Sequence, residues 1–161
     1  MTFTRRDMLH GLTAGVLTLA AGRLVSPAGA EAFPAMVVFR DPTCGCCHKW
    51  VDYLTANGFS VSVRDATRAG MREIKARLGV PADLASCHTA EIGPYVVEGH
   101  VPAAAIRRLL AEKPAGRGLA VPGMPIGSPG MEGGTPETYD VMLFGADVPQ
   151  RFGRFREDKP V

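Results

Sequence analysis

Asp41-Pro42-Thr43-Cys44-Gly45-Cys46-Cys47-His48-Lys49-Trp50 is the stretch on which the reading of this chain turns. It holds three of the four cysteines and follows directly on Met36-Val37-Val38-Phe39, an apolar run with the length and composition of a short buried strand. Pro42-Thr43 turns the chain. From Cys46 the spacing predicts a helix, with Trp50, Val51 and Leu54 on one face and Asn57-Gly58 as its stop. A cysteine cluster thus sits at the start of a helix, where free amides and the helix dipole stabilise a thiolate. The fourth cysteine, Cys87, lies forty residues after Cys47 and has His88 directly behind it.

Outward from this stretch, Phe59, Val61 and Val63 alternate with polar residues and predict a half-buried second strand. A second helix is expected from about Thr67, carrying Met71, Ile74 and Leu78 inward and ending at Gly79 before Pro81. His88 to Glu98 predicts a strand pair around Gly93-Pro94. Gly99-His100-Val101-Pro102 then leads into a third helix with Ile106, Leu109 and Leu110 facing the core. From Gly116 to Gly134 the chain is rich in Gly and Pro, a long loop of the kind that is usually functional when it occurs inside a compact domain. A last strand is expected over Thr138 to Phe144, followed by a basic tail without a usable pattern. Strand, cysteine turn, helix, strand, helix, hairpin, helix is the order of an α/β thioredoxin-like fold: a central mixed sheet flanked by helices, here with the long Gly/Pro-rich loop. Cys44-Gly45-Cys46-Cys47 stands where that fold carries C-x-x-C. Ser86-Cys87-His88 falls near the position facing the active site, which would bring Cys87 to the other three.

The first thirty residues have the character of a leader. Thr4-Arg5-Arg6-Asp7-Met8-Leu9 has a twin-arginine layout, Leu12 to Ala21 is an apolar run short for a bilayer, and Ala28-Gly29-Ala30 offers small residues for cleavage. The expected organisation is therefore a twin-arginine-type signal peptide, 1–30, and a mature domain, 31–161, exported to the periplasm. Residues 1–30 hold three of the eighteen basic residues and one of the sixteen acidic ones, so the formal charge of +2 belongs to the leader and the remainder balances to zero. No basic patch recommends nucleic acid, and nothing suggests a membrane surface once the leader is removed.

A dithiol oxidoreductase needs two cysteines, Cys44 to attack and Cys47 to resolve, and has no use for Cys46 or Cys87. Four thiols at one place favour a metal. Zinc prefers four tetrahedral ligands at wider spacings, and neighbouring cysteines crowd one small ion. Cu(I) is soft and accepts bridging thiolates, so copper is the first choice and zinc the lesser one. Structural disulfides are the remaining alternative, although a bridge between the neighbours Cys46 and Cys47 would be strained. His48 on the first helical turn is either a further ligand or supporting residue, or simply an exposed side chain. His88 is a weaker candidate, because in a strand its side chain would face away from that of Cys87. His100 is expected to order the turn into the third helix. Met124 and Met131 supply thioethers in the Gly/Pro loop, a soft donor type suited to Cu(I). The chain has no Walker loop, dinucleotide fingerprint or His-Glu-x-x-His.

With these residues in view, the chain resembles the CopG-like family of periplasmic copper-resistance proteins. The resemblance rests on Asp41 to Trp50 as quoted above, on Ser86-Cys87-His88-Thr89-Ala90, and on Val97-Glu98-Gly99-His100-Val101-Pro102. It rests also on Gly118-Leu119-Ala120-Val121-Pro122-Gly123-Met124-Pro125 with Gly127-Ser128-Pro129-Gly130-Met131-Glu132. It implies a thioredoxin-like fold, a copper cluster bridged by Cys44, Cys46, Cys47 and Cys87, and a role in handling copper, including Cu(I)/Cu(II) redox, alongside other envelope copper-handling proteins.

Overall fold

A computed structural model describes residues 33–161. The expected signal peptide lies outside the described residues. Eight strands form one sheet: β1 (Met36–Arg40), β2 (Val61–Asp65), β3 (Thr89–Ile92), β4 (Tyr95–Glu98), β5 (Gly118–Ala120), β6 (Thr138–Phe144), β7 (Gln150–Arg156) and β8 (Lys159–Pro160). Their order across the sheet is β2-β1-β3-β4-β5-β6-β7-β8. The pairs β1–β2 and β4–β5 are parallel and the rest antiparallel, with Val38 opposite both Val63 and Ala90. Three α-helices accompany the described sheet: α1 (Gly45–Ala56), α2 (Arg68–Leu78) and α3 (Ala103–Glu112).

Side-chain alternation along the strands divides the core in two. On one face Met36, Val38, Val97, Leu119 and Val141 pack with Trp50 and Leu54 of α1 and with Ile106 and Leu109 of α3. On the other, Phe39, Val96, Ala120 and Phe144 pack with Met71 and Leu78 of α2. The i, i+3, i+4 stripes anticipated for the three helices are therefore the inward ones, buried at most positions, with Val51, Ile74 and Leu110 half-buried. α2 has a complete set of end signals: Thr67 Oγ1 accepts from the Gly70 amide at 3.1 Å, and Gly79 closes the helix in the left-handed conformation at φ 72°.

Three expectations need correction. The second strand begins at Val61 rather than Phe59. Only Val61 in it is half-buried, because β2 is an edge strand. Phe59 is buried before the strand starts and stacks on Phe33. The Gly/Pro-rich segment is not loop throughout, since Gly118–Ala120 is a fully buried strand wedged between β4 and β6. A Cβ at Gly118 would lie 1.8 Å from the Val96 carbonyl oxygen, so only glycine allows this approach. Finally, the tail is not featureless. β7 and β8 extend the sheet, with Tyr139 opposite Phe155 and the Arg154 guanidinium paired at 2.7 and 3.1 Å with both carboxylate oxygens of Asp140. No described helix is long and apolar enough to cross a membrane.

Candidate metal centre

The cysteine turn is wound at the end of β1. Asp41 Oδ1 accepts from the Thr43 amide at 2.9 Å and from its hydroxyl at 2.7 Å, and the Cys44 amide donates to the Asp41 carbonyl at 3.1 Å. These bonds, the Thr43 hydroxyl first, hold the Asp41 carboxyl below its ordinary pKa. Cys44 thereby becomes the N-cap residue of α1 and makes no side-chain capping bond, so its sulfur is turned to the site. Cys44 and Cys47 share a helix face and are joined as a disulfide, with Cα atoms 5.4 Å apart. Cys46 and Cys87 are free thiols. Cys46 Sγ lies 3.5 Å from Cys44 Sγ and 3.7 Å from Cys87 Sγ.

Cys87 reaches the cluster on a loop anchored from behind. Glu98, wholly buried on β4, accepts from the Ser86 amide at 2.6 Å and the Lys75 ammonium at 2.5 Å through Oε1, and from the Thr89 hydroxyl at 2.6 Å through Oε2. Lys75 Nζ also donates to Thr89 Oγ1 at 2.8 Å. Ser86 Oγ donates to the Gly123 carbonyl at 2.5 Å, and Ser86 packs so closely on Gly99 that a Cβ there would lie 2.6 Å from its own. A hydrogen-bonded ion pair between α2 and β4 thus fixes the loop between them.

Two histidines meet the Cys87 sulfur. His88 Nδ1 and His100 Nε2 each lie 3.2 Å from it. The weaker expectation for His88 rested on strand alternation. β3, however, begins at Thr89, so Cys87 and His88 lie ahead of the strand and both side chains face the site. His88 is buried against the Trp50 ring, centroids 4.3 Å apart, and its Nε2 has no hydrogen-bond partner. Trp50 is itself held by a 3.0 Å bond from Nε1 to the Val101 carbonyl. The expectation for His100 fell short: besides preceding α3, it joins the site. Its Nδ1 donates to the Pro129 carbonyl at 2.8 Å, which leaves the Nε2 lone pair facing Cys87. A carbonyl holding the far nitrogen in this way is the usual support of a metal-ligating imidazole. Only the Glu-Gly-His-Val-Pro pattern marked His100 in the sequence, and that pattern is equally a turn signal.

Burial pushes both imidazole pKa values down, His88 well below the usual value with His100 adding to it, so both rings are neutral and ready to donate lone pairs. Burial, followed by the Cys46 sulfur, pushes the Cys87 thiol up to about 12. A buried thiol of that kind ionises when a cation takes the place of its proton.

Two donor groups result. Cys44, Cys46, Cys47 and Cys87 offer sulfurs that all lie within 4.8 Å of one another, and Cys87, His88 and His100 form a second set equally close. Cys87 belongs to both. The four-sulfur set becomes four thiols when the Cys44–Cys47 bond is reduced, and thiolates as metal displaces their protons. The donors are sulfur and neutral imidazole without a carboxylate, a composition that suits a soft ion. His88 Nε2 is buried without a partner, so no hydrogen bond to that nitrogen competes with the use of the ring as a donor. His48 is exposed on α1 and belongs to neither group. Met124 is exposed, whereas Met131 is half-buried and lines a cleft of about 340 Å³ with Cys46. The loop bearing both methionines lies against α1, since a Cβ at Gly130 would stand 2.7 Å from the Cys46 carbonyl oxygen.

Among solved structures, the chain is similar to copper resistance protein CopG in its form 1, with 43% sequence identity and a TM-score of 0.70, over 76% of this chain and 98% of that one. The chain belongs to the CopG family. Form 2 of CopG agrees, at 45% identity and a TM-score of 0.68 over the same shares. Residues 84–131 match the family described as protein of unknown function DUF411. That match takes in Cys87, His88, His100, Met124 and Met131, while Cys44 to Cys47 precede it, so the site of this CopG-family chain is assembled across its edge. No curated protein matches the chain.

Proposed function

We propose that this protein binds copper as Cu(I) in a cysteine-thiolate cluster and serves copper resistance, holding or passing on the ion and cycling it between Cu(I) and Cu(II). The observation that carries this reading is the convergence of four sulfurs within 4.8 Å on a chain 43% identical to a copper resistance protein. Cys44, Cys46, Cys47 and Cys87 are the ligands, with His88 and His100 on the far side of Cys87. Met131 and His48 are supporting residues and Met124 an outer one. Zinc is the lesser fit, for crowded sulfurs suit a bridging soft ion. The fold is thioredoxin-like: β2-β1-β3-β4 with β1 and β2 parallel, β3 antiparallel to both of its neighbours, and α1 following β1 supports this. Residues 1–30 are a signal peptide of the twin-arginine type, residues 31–161 the domain, and the periplasm the place of action, with other envelope copper-handling proteins as partners and neither nucleic acid nor membrane engaged by the mature chain.

An anaerobic Cu(I) titration of the reduced protein against a competing chelator tests this. Two or more tightly held ions, with loss of ions or affinity on Cys46→Ser or Cys87→Ser, are expected. Weak binding would overturn it. The Cys44–Cys47 disulfide favours a second reading, a thiol-disulfide oxidoreductase with Cys44 as nucleophile and Cys47 as resolver. Such an enzyme would keep most of its reductase activity in both serine variants.

A further inference from the structure

A cleft of about 510 Å³ opens beside the sulfur cluster, walled by Cys44 and Cys87 on one side and by Arg68, Arg72 and Lys75 of α2 on another. This volume lies within the range of small-molecule sites, roughly 300–1,000 Å³. Of its charged groups, Lys75 is engaged by Glu98, and Asp41 accepts from Thr43 through Oδ1 and feels the charge of Arg68 without pairing with it. Arg68 and Arg72 make no ion pair among the described residues. Four positions apart on one helix, they present two guanidinium groups to the same opening.

The disulfide is asymmetric toward this cleft. Cys47 is wholly buried, while Cys44 is half-buried and lines the wall. An incoming nucleophile therefore meets Cys44. The neighbouring Cys46 thiol could exchange with the bridge but would only move it, leaving its two electrons unsupplied.

We propose that the cleft receives a small carboxylate-bearing thiol that reduces the Cys44–Cys47 bridge, with Arg68 and Arg72 holding its carboxylates. The thiolate attacks Cys44 Sγ and forms a mixed disulfide. The Cys44–Cys47 bond breaks, and its electron pair leaves on Cys47, in the first turn of α1 where the free amides receive negative charge. A second molecule of the thiol attacks the outer sulfur, departs as the symmetrical disulfide and frees Cys44. Two thiols are oxidised to one disulfide, one protein bridge is reduced to two thiols, and the two protons released by the reductant balance those taken up by Cys44 and Cys47. Guanidinium groups suit this task because their paired N–H donors match a carboxylate. The proposal extends the copper reading by naming what prepares its four-thiolate site, and it is tested without metal.

The probe is glutathione against its diethyl ester, the same thiol with its carboxylates masked. The oxidised, metal-free full chain is mixed with each, and bridge opening is followed by thiol alkylation and intact mass, with rates corrected for thiolate fraction. At low salt glutathione is expected to be about tenfold faster, the order that two charge-assisted contacts supply. In Arg68→Ala/Arg72→Ala the advantage should shrink to about twofold, while the ester rate, which reports an intact fold, stays unchanged. Arg72→Glu alone should give an intermediate loss. Equal rates in the wild type, or a preference that survives in the double variant, would overturn the proposal and leave copper binding untouched.

Discussion

Glu98→Ala tests the buried ion pair that anchors the Cys87 loop. Glu98 is wholly buried and accepts three hydrogen bonds, from Lys75, Ser86 and Thr89. Truncation leaves the Lys75 ammonium, whose side chain is 14% exposed, with only the Thr89 hydroxyl, and leaves the Ser86 amide without an acceptor. Removing one partner of a buried ion pair costs about 3–5 kcal/mol, and an orphaned buried amide about 1–3 kcal/mol. The two losses share one network and do not add in full, so a net loss of about 4 kcal/mol is expected. Against a total stability of roughly 5–15 kcal/mol this is between about a quarter and four-fifths. Urea unfolding of the oxidised, metal-free protein reads it as a drop in midpoint at unchanged slope. The apolar replacement Lys75→Met/Glu98→Leu should recover much of the loss, because it removes both charges together. It should not recover copper affinity, since the Ser86–Cys87 loop remains unanchored. A shift below about 1 kcal/mol for Glu98→Ala would refute the view that this pair is dry and holds the loop.

Acid should destabilise the metal-free protein. The folded His88 and His100 are depressed below the ordinary 6.5, so the stability they confer is full above that value and is lost as pH falls through it, measurable as a falling midpoint in urea from pH 7 to 5. At the alkaline end Cys87 is raised from 9.0 to about 12, so stability should decline as pH rises from 9 towards 12, and Cys87→Ser should flatten that limb. Gly130→Ala combines φ of +89° with a Cβ 2.7 Å from the Cys46 carbonyl oxygen, and should cost about 1–3 kcal/mol while raising protease cleavage between β5 and β6. Trp50→Phe removes the donor to the Val101 carbonyl and should cost about 1–3 kcal/mol, seen as a lower thermal midpoint.

The sequence was most legible where local chemistry and tertiary packing agree. Thr67 and Gly79 delimit α2, and Gly93-Pro94 turns the β3–β4 hairpin, because caps and turns are decided by near neighbours. The cysteines could be grouped because fold order brings the end of β1 next to the start of β3. Gly118–Ala120 escaped notice because three residues without a periodic pattern become a strand only when β4 and β6 are present on either side. β7 was hidden for a similar reason: its partner choice is fixed by Tyr139 and Asp140, not by its own alternation. His100 was misjudged because its role depends on Pro129, a residue 29 positions away, which holds the ring so that its second nitrogen faces Cys87.

Cys87 belongs to both donor sets, and on the copper reading this couples their filling. The first ion must displace a proton that burial holds tightly, whichever set it enters, and the second finds the sulfur already ionised. The unfavourable step is taken once for two occupancies, so loading should be positively cooperative and singly filled molecules scarce. The protein would then behave towards copper less as a graded buffer than as a unit that is either empty or full.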